Sequence, residues 1–426
     1  MTTALTVAAL VERAAGEQRV ALVPEVVTRL VADGYEVLLE SGAGARAFHP
    51  DDAYVAAGAK VDALDAVLAA ADVVLAVRRP EPAVLDRLRP GQVLIGLLDA
   101  RGEARAGLDA LAARGVVVLS LDLLPRTLSR AQTMDALSSQ ASVAGYRAAL
   151  VAAEAFGRYL PMMITAAGTA RPATVLVLGA GVAGLQAIGT ARRLGAQVSG
   201  YDVRPAAREE VTSLGAGFLR TSVTAGAGEG GYARALTPEE QAVQQAELGQ
   251  QIRTFDVVIT TAQVPGGRPP VLVTAETLAA MRPGSVVVDL ASGPLGGNVD
   301  GSVPGQRVLT DGGVTVVGAG DLPSQMPTGA SAAYARNVTA LLAAVVRDGA
   351  LALDVEDEVV GAVWVRPAGP ADVPVATPTP VPTATDAPTA ADAPTATAAS
   401  PARADAASST GATAPADTPA TLPEGE

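Results

Sequence analysis

The sequence predicts an α/β protein: two parallel-sheet domains separated by a cleft, followed by a disordered C-terminal tail. Three observations predict it. Apolar strand-like runs alternate with helical patterns along residues 1 to about 370. Those runs are continuous, as expected of strands covered on both faces. From Ala371 onward the last 56 residues turn to Ala, Thr and Pro, with ten prolines, no aromatics, and one arginine against seven acidic residues. Such a segment cannot bury enough apolar surface to offset its ordering entropy.

The first series of strand-like runs is "LTVAAL" (5–10), "YEVLLE" (35–40), "DVVLAV" (72–77), "QVLIGL" (92–97) and "GVVVLS" (115–120). Between the first two lies "PEVVTRLVADG", a helix opened by Pro24 and stopped by Gly34. The second series is "TVLVLG" (174–179), "AQVSGYD" (196–202), "FDVVITTA" (255–262), "GSVVVDLA" (284–291) and "GVTVVGAG" (313–320). The helix-like segment 331–346 follows and is expected to return onto the first unit. The expected division is an N-terminal α/β domain over 1–140, completed by 330–370, then a second over 141–329, then the tail over 371–426.

Composition narrows the function classes. The chain has 426 residues, 49% of them hydrophobic but only 3% aromatic, so its cores must be built from Val, Leu, Ile and Ala. There is no cysteine, which excludes disulfides, thiolate nucleophiles and Cys-ligated metals, and no metal site is expected. A net charge of -13 argues against nucleic-acid binding. Glu12 and Arg13 interrupt "LTVAALVERAAG" too early for a signal peptide. No uncharged apolar run reaches the ~18 residues of a membrane span. The chain therefore reads as soluble and cytoplasmic.

The glycine-rich turn is the most informative motif. In "TVLVLGAGVAGLQAIGTARRLGAQVSGYDVR" the strand 174–178 runs into Gly179-Ala180-Gly181-Val182-Ala183-Gly184. A helix follows, and a second strand ends in Asp202, 23 residues after Gly179. Gly179 permits a tight turn, Gly181 lets the backbone approach a pyrophosphate, and Gly184 seats the helix close to the strand. The helix N-terminus offers N–H groups and partial positive charge to that diphosphate. Asp202, followed by Val203 and Arg204, can accept hydrogen bonds from the adenosine ribose. Strand, helix, spacing and acid agree on a Rossmann-like dinucleotide site. The carboxylate of Asp202 would repel the 2′-phosphate of NADP, which favours NAD. Arg204 could reach such a phosphate, but Asp202 sits at the strand end where the ribose lies.

Further site elements are expected at the carboxyl ends of the other strands. These are Thr260-Thr261-Ala262-Gln263, Asp289-Leu290-Ala291 and Gly320-Asp321-Leu322-Pro323. For Asp289 a turn-forming role is as reasonable as cofactor contact.

The site lacks a proton shuttle. An alcohol or amine dehydrogenase moves a proton as well as a hydride and keeps a His, Lys or Tyr for that step. The single histidine, His49 in "RAFHPDDAY", reads as part of a surface loop before a helix. Lysine is nearly absent. By contrast, "SRAQTMDALSSQASVAGYRA" (129–148) gathers Arg130, Gln132, Asp135, Ser138 and Ser139. Hydride transfer between two nicotinamides exchanges no proton with a side chain; it needs the rings held face to face and water excluded. Arg, Gln, Asp and Ser suit that task. On a helix through this stretch, Gln132, Asp135 and Ser139 would share a face. The alternative is a polar cap feeding the long helix "SVAGYRAALVAAEAFGRYL".

Residues 1–370 resemble the NAD-binding alpha subunit of proton-translocating NAD(P) transhydrogenases, in the group that also holds alanine dehydrogenase. The resemblance rests on "RVALVPEVVTRL", "ESGAGARAF", "SRAQTMDALSSQASVAGYRA", "PMMITAAGTARPATVLVLGAGVAGLQAI", "TTAQVPGGRPPVLVT", "GSVVVDLA" and "DLPSQMPT". It implies a loop whose Arg, Gln and Asp orient the nicotinamide of NADH against NADP bound on a partner. Gln132 and Asp135 match that loop, with Ser138 beside them. The Arg falls on Arg126 in "LPRTLSRAQ", one residue longer than the family's "PRISRAQ". A mobile loop whose Tyr closes over NAD matches Tyr232 in "GEGGYARAL". The resemblance further implies an NADP-binding beta subunit, membrane subunits, a homodimer, and a place at the inner, cytoplasmic face of the membrane through those partners. Two competing readings remain open: an alanine dehydrogenase-like enzyme and a non-catalytic NAD-binding module. The substrate Lys and His of alanine dehydrogenase are replaced by Arg78 and Leu98, while Arg19 matches its carboxylate-holding Arg.

Overall fold

The computed structural model describes residues 4–226, 234, 236–264 and 267–366. Two seven-stranded sheets organise it. In the first, the strand Thr6–Ala9 lies between Glu36–Glu40 and Val73–Arg78. Lys60–Asp62 extends one side; Val93–Leu97 and Val117–Ser120 extend the other, all parallel. The short strand Trp364–Val365 closes that side antiparallel to Val117–Ser120. In the second sheet Thr174–Leu178 holds the same central place, between Gln197–Tyr201 and Val257–Thr260. Gly217–Phe218 lies outside Gln197–Tyr201; Val286–Asp289 and Thr315–Gly318 continue the far side, and Arg307–Leu309 ends it antiparallel. In both sheets the chain builds outward one way, then crosses to the other side of its first strand. That crossing opens a crevice at the carboxyl ends of the strands flanking it.

The apolar runs are continuous because both sheet faces are covered. Val73, Leu75 and Val77 face one core and Val74 and Ala76 another. In the second sheet Val175 and Val177 face one core, Leu176 and Leu178 the other. The helix Pro24–Ala32 starts at its proline and buries Val26, Val27 and Leu30, and Gly34 follows at φ +92°.

Two long helices pass between the lobes built on these sheets. Ala136–Ala155 starts with Ala136 in the first core and buries Ala148, Ala149 and Ala152 in the second. It starts before and ends short of the span predicted from "SVAGYRAALVAAEAFGRYL": Asp135 caps it, and Phe156 turns extended and buries its ring. Pro327–Ala344 returns, placing Tyr334, Ala335, Val338 and Leu341 in the first core. The buried Tyr334 hydroxyl donates to the carbonyl of Ala76 at 2.6 Å. Among the described residues no helix is long and apolar enough to cross a membrane. The predicted tail lies outside the described residues.

Candidate functional site

The glycine turn after Thr174–Leu178 assigns a different constraint to each glycine. Gly179 has φ +98°, and a Cβ there would stand 2.6 Å from Thr261 Oγ1. A Cβ on Gly184 would stand 1.8 Å from the carbonyl oxygen of Gly179, so only glycine lets the helix pack this close. Gly181 is the N-cap of the helix Val182–Arg193, and a Cβ there meets nothing within 4 Å. No contact within the described residues therefore demands glycine at 181. The free space lies where first-turn N–H groups face an incoming anion.

Asp202 follows the strand Gln197–Tyr201 and reaches back over this turn. Its carboxylate accepts from Ala180 N–H at 2.8 Å, from Arg204 N–H at 2.9 Å, and from Arg204 Nε and Nη2 at 3.0 and 2.9 Å. Burial raises its pKa, but these hydrogen bonds outweigh it and hold the carboxyl below its ordinary value. The anion is thus fixed beside the glycine turn, with Arg204 stacked on it rather than directed at solvent. Val203 is half-buried against the second core.

Across the crevice, Thr261 Oγ1 donates to Gly179 O at 3.0 Å. Ala262 is clasped by Asn298: its N–H donates to Asn298 Oδ1 at 3.0 Å, and its carbonyl accepts from Nδ2 at 2.8 Å. Gln263 donates to the carbonyl of Leu290 at 3.1 Å. Asp289 is fully buried and accepts from Thr260 Oγ1 and the N–H groups of Ala291 and Val299, so it serves the turn. Burial pushes its pKa up.

The polar loop lies at the start of the helix Ala136–Ala155. Residues Ser129–Met134 form a 3₁₀ turn, and Asp135 is the N-cap, accepting from Ser138 N–H at 2.8 Å. Gln132, Asp135 and Ser139 therefore do not line one α-helical face. Arg126 closes the group instead: Nε donates to Asp135 Oδ2 at 2.9 Å and Nη2 to Ser138 Oγ at 2.7 Å. Ser138 Oγ in turn donates to Asp135 Oδ2 at 2.6 Å. Gln132 is exposed, and its side chain makes no hydrogen bond among the described residues. Arg130 points away and pairs with Asp357. Cap and ligand group thus coincide on the same carboxylate.

The same helix connects this loop to the glycine turn. A Cβ on Gly145 would stand 2.0 Å from Ala183 O, in the first turn of Val182–Arg193. Seven residues separate Ser138 from Gly145, about 10 Å along a helix axis. The loop therefore sits about 10 Å above the glycine turn, on a rod in close contact with the dinucleotide helix.

Between the lobes lies an ionic cluster. Arg19 is buried; it donates through Nε and Nη2 to Glu17 at 2.7 and 2.6 Å, through Nη1 to Gln140 at 2.8 Å, and through Nη2 to Asp321 at 2.9 Å. Arg78 bonds Glu17 at 2.8 Å and also pairs with Asp321. Burial raises the Glu17 pKa, but the bonds and charge of Arg19, helped by Arg78, hold it down to about 2. Both arginines already carry carboxylate partners of this chain. Asp321 therefore joins the lobes, with Leu322 buried behind it. Leu98 is fully buried. His49 sits edge-on to Tyr54 at 6.3 Å between centroids, half-buried, and burial lowers its pKa. That is a more enclosed setting than the open loop expected from "RAFHPDDAY". Tyr232 lies outside the described residues.

Sequence reasoning missed Asn298, Asn337, Gly145, Glu17 and Gln140. One signal was available. Asn337 falls in register with Tyr334, Val338 and Leu341, the buried stripe of its helix.

The chain matches the family description "Alanine dehydrogenase/PNT, N-terminal domain" over residues 8–144 and "Alanine dehydrogenase/PNT, C-terminal domain" over residues 148–370. It is 42% identical over 365 residues to the NAD(P) transhydrogenase subunit alpha of Cereibacter sphaeroides, across 84% of this chain and 69% of that one. In Rhodospirillum rubrum the alpha subunit is divided, and the chain is 42% identical over 381 residues to its first piece, across 86% of this chain and 97% of that one. Among solved structures it resembles the transhydrogenase from Sinorhizobium meliloti, with a TM-score of 0.76 and 44% identity over 85% of this chain and 98% of that one.

Proposed function

The chain belongs to the alanine dehydrogenase/PNT family, and from that premise we propose that it is the NAD(H)-binding alpha subunit of a proton-translocating NAD(P) transhydrogenase. In this reading NADH bound here passes a hydride from its nicotinamide to that of NADP bound on a beta subunit. Membrane subunits would complete the complex, the chain would pair with a second copy, and it would work at the cytoplasmic face of the membrane.

One observation carries the reading. Arg126, Asp135 and Ser138 form a closed hydrogen-bonded group on a helix cap, with Gln132 exposed beside it and no histidine, lysine or cysteine in it. Such a group can hold an amide-bearing ring in place and has no means of relaying a proton at neutral pH. Gly181 and the first turn of Val182–Arg193 would take the diphosphate, and Asp202 the adenosine ribose. Ala262, Gln263, Asp321 and Leu322 would line the crevice at the strand ends, and Tyr232 would close over it. The engagement of Arg19 and Arg78 by Glu17 and Asp321 also supports transhydrogenation over an amino-acid dehydrogenase, because neither arginine is left for a substrate carboxylate.

The test is a cuvette holding this chain, NADPH, an absorbance-shifted NAD analogue and the NADP-binding partner. Reduction of the analogue is expected only when the partner is present. Gln132→Asn is expected to slow that transfer about tenfold or more while NADH affinity changes little. An unchanged rate in the variant would remove the role given to the loop. NADH oxidation by pyruvate and ammonium without the partner would overturn the reading as a whole.

A further inference from the structure

We propose that Asn337 is a positioning residue for hydride transfer: it clamps both ends of the polar loop and so fixes Gln132. This rests on the functional reading above. Asn337 lies on the helix Pro327–Ala344, about 200 residues along the chain from the loop, and only 8% of it is exposed. Its Nδ2 donates to the carbonyl of Thr133 at 2.8 Å. Its Oδ1 accepts from Ser139 Oγ at 2.6 Å.

These two anchor points bracket the functional group. Thr133 directly follows Gln132, and Ser139 directly follows Ser138. Between them stand Asp135 and its cap bond to Ser138 N–H. Arg126, Asp135 and Ser138 hold one another, but nothing among the described residues holds the Gln132 side chain. Its position must come from its backbone. That backbone is a 3₁₀ turn, a form with poorer hydrogen-bond geometry than an α-helix. The contact from Asn337 to the next carbonyl ties that turn to a buried helix. Gln140 strengthens the same seam, donating to Ala330 O at 3.1 Å while accepting from Arg19. The return helix thus acts as the rigid support, and Asn337 is its contact with the loop.

A purely structural role would satisfy a buried amide without affecting chemistry. The two are separable by the balance of rate against binding. With the full chain and the NADP-binding partner, Asn337→Ala is expected to lower kcat for hydride transfer about ten- to a hundredfold, as expected for a reacting group displaced by about 1 Å. NADH affinity, measured without the partner, should change less than about threefold, because the glycine turn and Asp202 belong to the other sheet. Ser139→Ala removes one of the two anchors and should give a smaller loss of kcat. Added to Asn337→Ala it should cost nothing more, since both act through one clamp. Val338→Ala, one position along the same helix in the core, should leave kcat unchanged. Wild-type transfer with an Asn337→Ala kcat within threefold would overturn the clamp. So would a parallel fall of kcat in Val338→Ala, which would mark general loosening of the helix. Absence of transfer by the wild-type chain would instead mark failure of the functional reading, and the clamp's role would fall with it.

Discussion

Replacing Gly181 by alanine separates a ligand-facing glycine from its structural neighbours. Gly181 has φ -80° and ψ -168°, a conformation alanine adopts without strain. Its added Cβ would meet no protein atom within 4 Å. Two small effects on stability oppose each other. Alanine is a poorer N-cap than glycine by about 1 kcal/mol, and it restricts the unfolded chain, which returns about 0.4–1 kcal/mol. The net should lie within about 1 kcal/mol, a Tm shift of a few degrees at most. Binding should respond far more. A methyl on the N-cap keeps phosphate oxygens from reaching the first-turn N–H groups at ~2.9 Å. Each charge-assisted bond lost is worth about 1.5–3 kcal/mol, so NADH affinity should fall about ten- to a hundredfold. Gly184→Ala is the contrasting case. Its Cβ would stand 1.8 Å from a backbone oxygen that cannot move aside, so stability should drop by at least about 3 kcal/mol. The assay is NADH fluorescence titration alongside a thermal melt. A Gly181→Ala chain that melts and binds NADH like wild type would refute the placing of the diphosphate at this turn.

Two further variants test the charges. Glu12 is buried at the switch point of the first sheet, accepting from Val77 N–H at 2.5 Å and Arg78 N–H at 3.2 Å. Burial pushes its pKa from 4.5 up to about 7, with Glu17 adding to the rise and the two N–H bonds and Arg19 opposing it. The folded chain therefore keeps a proton that the unfolded chain releases between pH 4.5 and 7, and stability should fall as pH rises through that window. The full displacement is worth on the order of 3 kcal/mol. Glu12→Gln mimics the protonated form and should flatten urea-melt stability between about pH 5 and 7.5; an equally steep fall in the variant would exclude Glu12 as its source. Asp202→Ala should weaken NADH about ten- to a hundredfold through lost ribose hydrogen bonds. Because it also frees Arg204 from this carboxylate, it should raise NADPH affinity relative to NADH, and an unchanged ratio in paired titrations would count against Asp202 as the discriminator.

The sheets were legible because parallel strands covered on both faces leave uninterrupted apolar runs, as in 73–77 and 174–178. The glycine turn was legible for a local reason: its constraint is carried by a dozen neighbouring residues. The polar loop was only half legible. Its residue types stood out, but a Ser- and Asp-rich stretch fits both a helix face and a helix start, and the structure makes Asp135 the cap. Partners distant in sequence were hidden. Asn298 against Ala262, Asn337 against Thr133, and Glu17 with Arg78 and Asp321 are pairings that only the folded chain brings together. The extra residue near Arg126 still leaves its guanidinium within reach of Asp135 and Ser138.

The two crossing helices explain how such a site can hold its geometry across a cleft. Hydride transfer depends on distance more than on any chemical group, and a misplacement of about 1 Å is costly. A loop tethered only to the first lobe would drift with every small motion between lobes. Here the loop caps a 20-residue helix, about 30 Å long, whose two ends are buried in different cores. Midway, Gly145 lets that helix lie directly on the first turn of the dinucleotide helix. The spacing between nicotinamide loop and diphosphate turn is therefore set by a continuous helix and one backbone contact. Asp321, reaching from the second lobe to Arg19 and Arg78, restrains the opposite wall of the cleft. Relative motion of the lobes then swings about the helix without altering the distance on which the chemistry depends.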